Sequence, residues 1–133
     1  MVLKRYMKGM IFLFGAAEKG ATCLPITLHT LDDLLSQLGN PPHETEGIHY
    51  AIQALLFQYR LIYYRVNEEG FSYGDYMLGL KWLKKAPLHP HLSAICLPGV
   101  GDAEIIQSAA TVCLQHQSLL IVSQKDLYDY LTI

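Results

Sequence analysis

The chain is short of charge, of cysteine and of long apolar runs, and each shortage removes a class of function. Lysine and arginine number 10 against 12 aspartate and glutamate, a net charge of -2 over 133 residues. No basic excess is present to hold nucleic acid or an anionic membrane, so neither is expected as a partner. The three cysteines, Cys23, Cys96 and Cys113, are odd in number and form no CxxC, which argues against a disulfide framework. Cys96 and Cys113 fall inside apolar patterns and read as reduced core residues of a reducing compartment. The run at residues 10–14, preceded by Lys4, Arg5 and Lys8, is five residues long. That is too short for a signal peptide, and a transmembrane helix needs about 20 apolar residues. A cytoplasmic protein is expected.

Chemical motifs are equally scarce. The phosphate-binding patterns GxxxxGK[ST] and GxGxxG are absent, and so is the GxSxG nucleophile elbow. His89 and His91 stand one residue apart with no nearby carboxylate or cysteine, which makes a weak metal site, and the other histidines are scattered. Ser123, Lys125 and Asp126 read as a strand exit and a helix start. No cofactor and no metal are expected.

What is present is a globular core pattern, with 51% hydrophobic residues and no repeat or linker, so one domain spanning 1–133 is expected. MIFLF at 10–14 is continuous and apolar, ends at Gly15 and suits a strand buried on both faces. Residues 24–28 read as a short edge segment limited by Pro25. Thr30 is an N-cap for a helix over 31–38, with Leu31, Leu34, Leu35 and Leu38 at helical spacing and Gly39 as its stop. A second helix is predicted over 45–59, a strand over 60–67 and a third helix over 73–84. Pro87 and Pro90 then make a stiff connection. A strand over 92–97, a helix over 103–116 capped by Asp102, a strand over 118–123 and a helix over 125–131 complete the pattern.

Strands that alternate with helices and lack polar alternation predict an α/β fold. The expectation is a three-layer, doubly wound, mainly parallel sheet of four strands in the order 2-1-3-4, with helices on both faces. In such a fold a ligand sits beyond the carboxyl ends of the first and third strands. Those ends carry GAAEKG, residues 15–20, and PGVGD, residues 98–102. Gly15, Lys19, Gly99 and Gly101 are therefore the candidate residues for a nucleotide or metabolite. Asp102 weighs against that use, because a carboxylate at the helix start caps the amides and repels phosphate.

The order of segments also resembles a known family. IFLFGAAEKG at 11–20, PITLHT at 25–30 followed by LDDLLSQLG at 31–39, YAIQALLF at 50–57, LIYYRV at 61–66 and AICLPG at 94–99 are similar, in type and order, to the core of contractile tail sheath proteins. These are the subunits of phage tails and related injection machines. The likeness covers residues 10–130 and is carried by the order and spacing of these segments. The family's inserted β-rich domain has no counterpart here, because NEEG at 67–70 leads directly to a helix. No counterpart is expected either for its N-terminal arm and C-terminal domain, which exchange strands between neighbours. The resemblance implies a structural protein without an active site in this core, working inside the cell or in a tail-like particle. Its partners would be itself or other sheath- or tail-like proteins.

Two expectations thus stand side by side. One is a non-enzymatic assembly module whose contacts are sought at Tyr63 and Tyr64, at Phe71 and Tyr73, and in the tail at Tyr128, Tyr130 and Ile133. The other is a small nucleotide- or metabolite-binding α/β protein that uses the two glycine loops.

Overall fold

The computed structural model describes residues 9–86 and 91–133. The Pro87–Pro90 connection, His89 of the histidine pair, and Lys4, Arg5 and Lys8 lie outside the described residues. Ten elements follow one another: β1 (Met10–Gly15), β2 (Pro25–Leu28), α1 (Leu31–Leu38), α2 (Gly47–Leu56), β3 (Arg60–Arg65), α3 (Tyr73–Lys85), β4 (Leu92–Cys96), α4 (Ala103–His116), β5 (Leu119–Ile121) and α5 (Gln124–Leu131).

The sheet is mixed and has five strands in the order β2-β3-β1-β4-β5, which corrects the expected four. Strands β3, β1, β4 and β5 pair in parallel, and β2 lies antiparallel on the outer side of β3. The geometry of the first connection explains the added strand. A parallel return needs a crossover of about a dozen residues or more, and only residues 16–24 separate β1 from β2. The chain therefore runs back directly. Pro25, paired with Tyr64, is tolerated because an edge strand needs donors on one side only.

Two core clusters flank the sheet. Ile11, Leu13, Leu61, Tyr63, Ala94 and Cys96 pack with residues of α1, α2 and α5. Met10, Phe12, Phe14, Ile62, Tyr64 and Ile95 pack with residues of α3 and α4. Alternation along each strand sends neighbours to opposite faces, so β1 is buried along its whole length. A register shift between Met10 and Ile11 against β4 lets Leu92 and Ile95 share a face.

The local signals act as their chemistry requires. Thr30 Oγ1 accepts from Asp33 N at 3.0 Å, and the Asp33 carboxylate accepts from His29 N at 3.1 Å, a reciprocal cap. Gly39 ends α1 at φ 78°. Asp102 Oδ1 accepts from Glu104 N at 2.9 Å and Ile105 N at 3.0 Å. Helix α2 is shorter than its expected span because Phe57 ends it and Gln58 turns the chain at φ 64°. Among the described residues no helix is long and apolar enough to cross a membrane.

Candidate functional site at the carboxyl edge of the sheet

Three loops meet where β1, β3 and β4 end. The first follows Gly15, the second spans residues 66–72, and the third spans residues 97–102. The second carries the decisive side chain. Glu69 Oε1 accepts the N–H of Ala16 at 2.9 Å and of Gly47 at 3.1 Å, and its Oε2 accepts the N–H of Glu46 at 2.6 Å. Gly47 opens α2, whose N-cap residue Glu46 makes no side-chain cap of its own. A helix start with free amides attracts an anion. Here the chain supplies its own.

The glycines at this edge serve close packing. A Cβ at Gly15 would stand 2.3 Å from the Tyr63 hydroxyl oxygen, and one at Gly47 would stand 2.5 Å from the same atom. That hydroxyl donates to the Ala16 carbonyl at 2.6 Å. On the other side, Gly70 has φ +89°, and a Cβ there would lie 2.4 Å from the Gly99 carbonyl oxygen. The Gly70 N–H donates to the Tyr76 hydroxyl at 2.6 Å. The Glu69-Gly70 pair is thus wedged between the two glycine loops.

The remaining candidates of the glycine-loop reading have structural duties or none. Lys19 is exposed, and its N–H donates to the Leu38 carbonyl at 3.2 Å. Its neighbour Glu18 accepts from Asn40 N at 2.9 Å, so the GAAEKG loop docks on the end of α1. Gly99 turns the chain at φ +78°, and nothing lies within 4 Å of a Cβ placed at Gly101. The Arg65 guanidinium donates to the Gly20 carbonyl and ties the same loop to β3.

Two of the expected contact residues are misplaced by the sequence reading. Tyr63 and Tyr64 are 0% and 1% exposed. Strand β3 is interior, flanked by β1 and β2, so both rings are core and offer nothing to a partner. Their hydroxyls are spent on the Ala16 and Asp75 carbonyls. Tyr130 is half-buried, bonded to Ser93 and packed on Tyr59 with ring centroids 5.2 Å apart. Phe71 is 77% exposed, Tyr73 is exposed and donates to Glu104, Tyr128 is exposed, and Ile133 is 90% exposed. Leu131, two residues earlier, is buried in the core.

Burial raises the buried tyrosine hydroxyls and the thiols. Burial pushes the Tyr76 hydroxyl up to about 12 and raises Tyr63 well above its usual value. Burial likewise raises the thiols, Cys113 to about 11 and Cys96 further, and it raises Cys23, which also donates to Asp75 Oδ1 at 3.3 Å. All three cysteines are free. Thiols so shifted carry little thiolate at neutral pH and are poor nucleophiles. Among the described residues no three His, Cys, Asp or Glu side chains are grouped to hold a metal.

Comparisons with protein-family models, with curated proteins and with solved structures find no match to this chain.

Proposed function

We propose that this chain is a non-enzymatic assembly module, similar to the core domain of a contractile tail sheath subunit and acting through protein–protein surfaces. The observation that supports it best is the self-filled carboxyl edge. The position where a doubly wound sheet offers its ligand site is taken by the Glu69 carboxylate and the packed pair Gly70 and Gly99. A phosphate would have to displace a carboxylate that already holds three backbone N–H groups. That counts against the nucleotide- or metabolite-binding reading. The likeness to sheath proteins rests on the quoted segments alone.

In this reading the working parts are exposed side chains. Phe71 and Tyr73 stand beside the wedge, and Tyr128 and Ile133 stand on the last helix and tail. In this reading they are the contact points, since exposed apolar area grouped on a surface marks a protein contact. The partner is a second copy or another sheath- or tail-like protein, inside the cell or in a tail-like particle.

Sedimentation velocity over a rising concentration series tests the proposal. Association that grows with concentration and weakens in the Phe71→Ser, Ile133→Ser double variant is the expected result. A chain that stays monomeric at every concentration contradicts self-assembly.

A further inference from the structure

The two faces of the sheet are covered unequally. Helices α1, α2 and α5 pack on one, and only α3 and α4 on the other. Among the described residues that face is open between α3 and the start of β2. A groove of about 580 Å³ remains there, lined by Cys23, Pro25, Tyr64, Leu78, Trp82 and Ala86, with Lys81 and Lys85 at its rim. Small-molecule sites run from about 300 to about 1,000 Å³.

The chemistry of the lining narrows the occupant. Two of its polar side chains are already used, since the Tyr64 hydroxyl donates to the Asp75 carbonyl at 2.8 Å and Cys23 Sγ donates to Asp75 Oδ1 at 3.3 Å. The Trp82 ring lies 5.8 Å from Phe12, which fixes one wall, and it remains 40% exposed. What the groove still presents is mainly apolar surface, the Trp82 ring with its single N–H, and two ammonium groups. Lys81 and Lys85 are four apart on one helix face, side by side. Among the described residues neither has a carboxylate within ion-pair distance. An apolar body with a single anionic head complements both features, whereas a sugar or base would leave its polar edge unpaired.

We propose that this groove binds a medium-chain alkyl carboxylate, the chain lying against Trp82, Leu78 and Pro25 and the carboxylate between Lys81 and Lys85. The site lies apart from the carboxyl-edge wedge and does not depend on the assembly reading.

Trp82 is the single tryptophan of the chain, so its fluorescence reports on the groove directly. The test titrates the full chain with decanoate below its micelle concentration and, in parallel, with decyltrimethylammonium, which has the same tail and the opposite charge. The expected result is a saturable blue shift with decanoate. Affinity should be at least about tenfold weaker for the cationic amphiphile, and about tenfold weaker for decanoate in the Lys81→Gln, Lys85→Gln double variant. Both lysines are exposed, so that variant should keep the wild-type melting temperature, which is measured alongside. Absence of a saturable shift, equal affinity for the two head groups, or unchanged binding in the lysine variant would each overturn the proposal. A blue shift that rises with protein concentration alone and follows dimer formation makes the face a contact between copies, and overturns it as well.

Discussion

Glu69 and Gly47 are joined by a 3.1 Å hydrogen bond from the first amide of α2 to a carboxylate 22 residues further along the chain. The same oxygen takes the N–H of Ala16, 53 residues from Glu69. One side chain therefore holds the end of β1, the start of α2 and the turn after β3. It fills the anion position that the fold would otherwise leave open.

Replacing Glu69 should loosen all three segments. Glu69→Ala leaves three backbone donors without their acceptor, and a charge-assisted bond contributes about 1.5–3 kcal/mol. The site is part-exposed and water replaces some of the loss, so we expect about 2 kcal/mol in total. Glu69→Gln keeps one acceptor oxygen and should lose about half as much. Urea unfolding with an unchanged slope checks both, and a Glu69→Ala chain as stable as the parent would remove the wedge from the account.

Two glycines should respond in opposite directions to the same substitution. Gly70→Ala sets a Cβ 2.4 Å from the Gly99 carbonyl oxygen at φ +89°. Backbone cannot yield cheaply, and a loss of more than about 2 kcal/mol is expected. Gly74, in the first turn of α3, has open space around its Cβ position. Gly74→Ala should be neutral or stabilise by up to about 0.5–1 kcal/mol. Paired melting curves decide this.

Asp102→Ala should cost about 1 kcal/mol as a lost cap, and Asp102→Asn only a few tenths. Both Asp102 contacts are backbone N–H groups of α4, so the effect should appear in stability and leave the association behaviour unchanged. Chemical denaturation beside sedimentation separates the two.

The buried tyrosines make the fold sensitive to alkali. Tyr76 is raised by burial from its usual value near 10 to about 12 in the folded chain. The folded state holds the proton more tightly, so the stabilisation is complete below about pH 10 and is lost as the pH rises from there through about 12. Tyr50, Tyr63 and Tyr64 shift in the same direction for the same reason. A melting temperature that is level between pH 7 and 9 and falls beyond about pH 10 is expected. Tyr76→Phe should start from a lower plateau, because the Gly70 N–H loses its acceptor, and should fall less steeply.

What the sequence made legible was local. Thr30, Gly39 and Asp102 act on groups within four residues of themselves, so spacing alone identifies them. The four parallel strands were visible because each is an apolar run bounded by glycine, proline or polar residues. The Glu69 wedge was not visible. Within NEEG it looks like any polar turn residue, and its partners lie 22, 23 and 53 positions away. Tyr63 and Tyr64 were misjudged for a related reason. Residues 24–28 read as a short edge segment with its pairing limited by Pro25, and nothing in that reading placed it beside β3 or told which helices cover the two faces of β3. The helices packed on each face bury the two rings in opposite cores, and their hydroxyls find backbone carbonyls at 2.6 and 2.8 Å.

The most direct test of the central claim is thermal unfolding of the chain with a panel of nucleotides, dinucleotide cofactors and inorganic phosphate. A ligand at about 100 times its dissociation constant adds about 2.7 kcal/mol, a rise of several degrees for a domain of this size. A carboxyl edge filled by Glu69 and Gly70 predicts no shift with any member. A dose-dependent rise with one nucleotide class, abolished when Gly101 or Lys19 is replaced, would contradict the assembly reading and make the glycine loops a binding site.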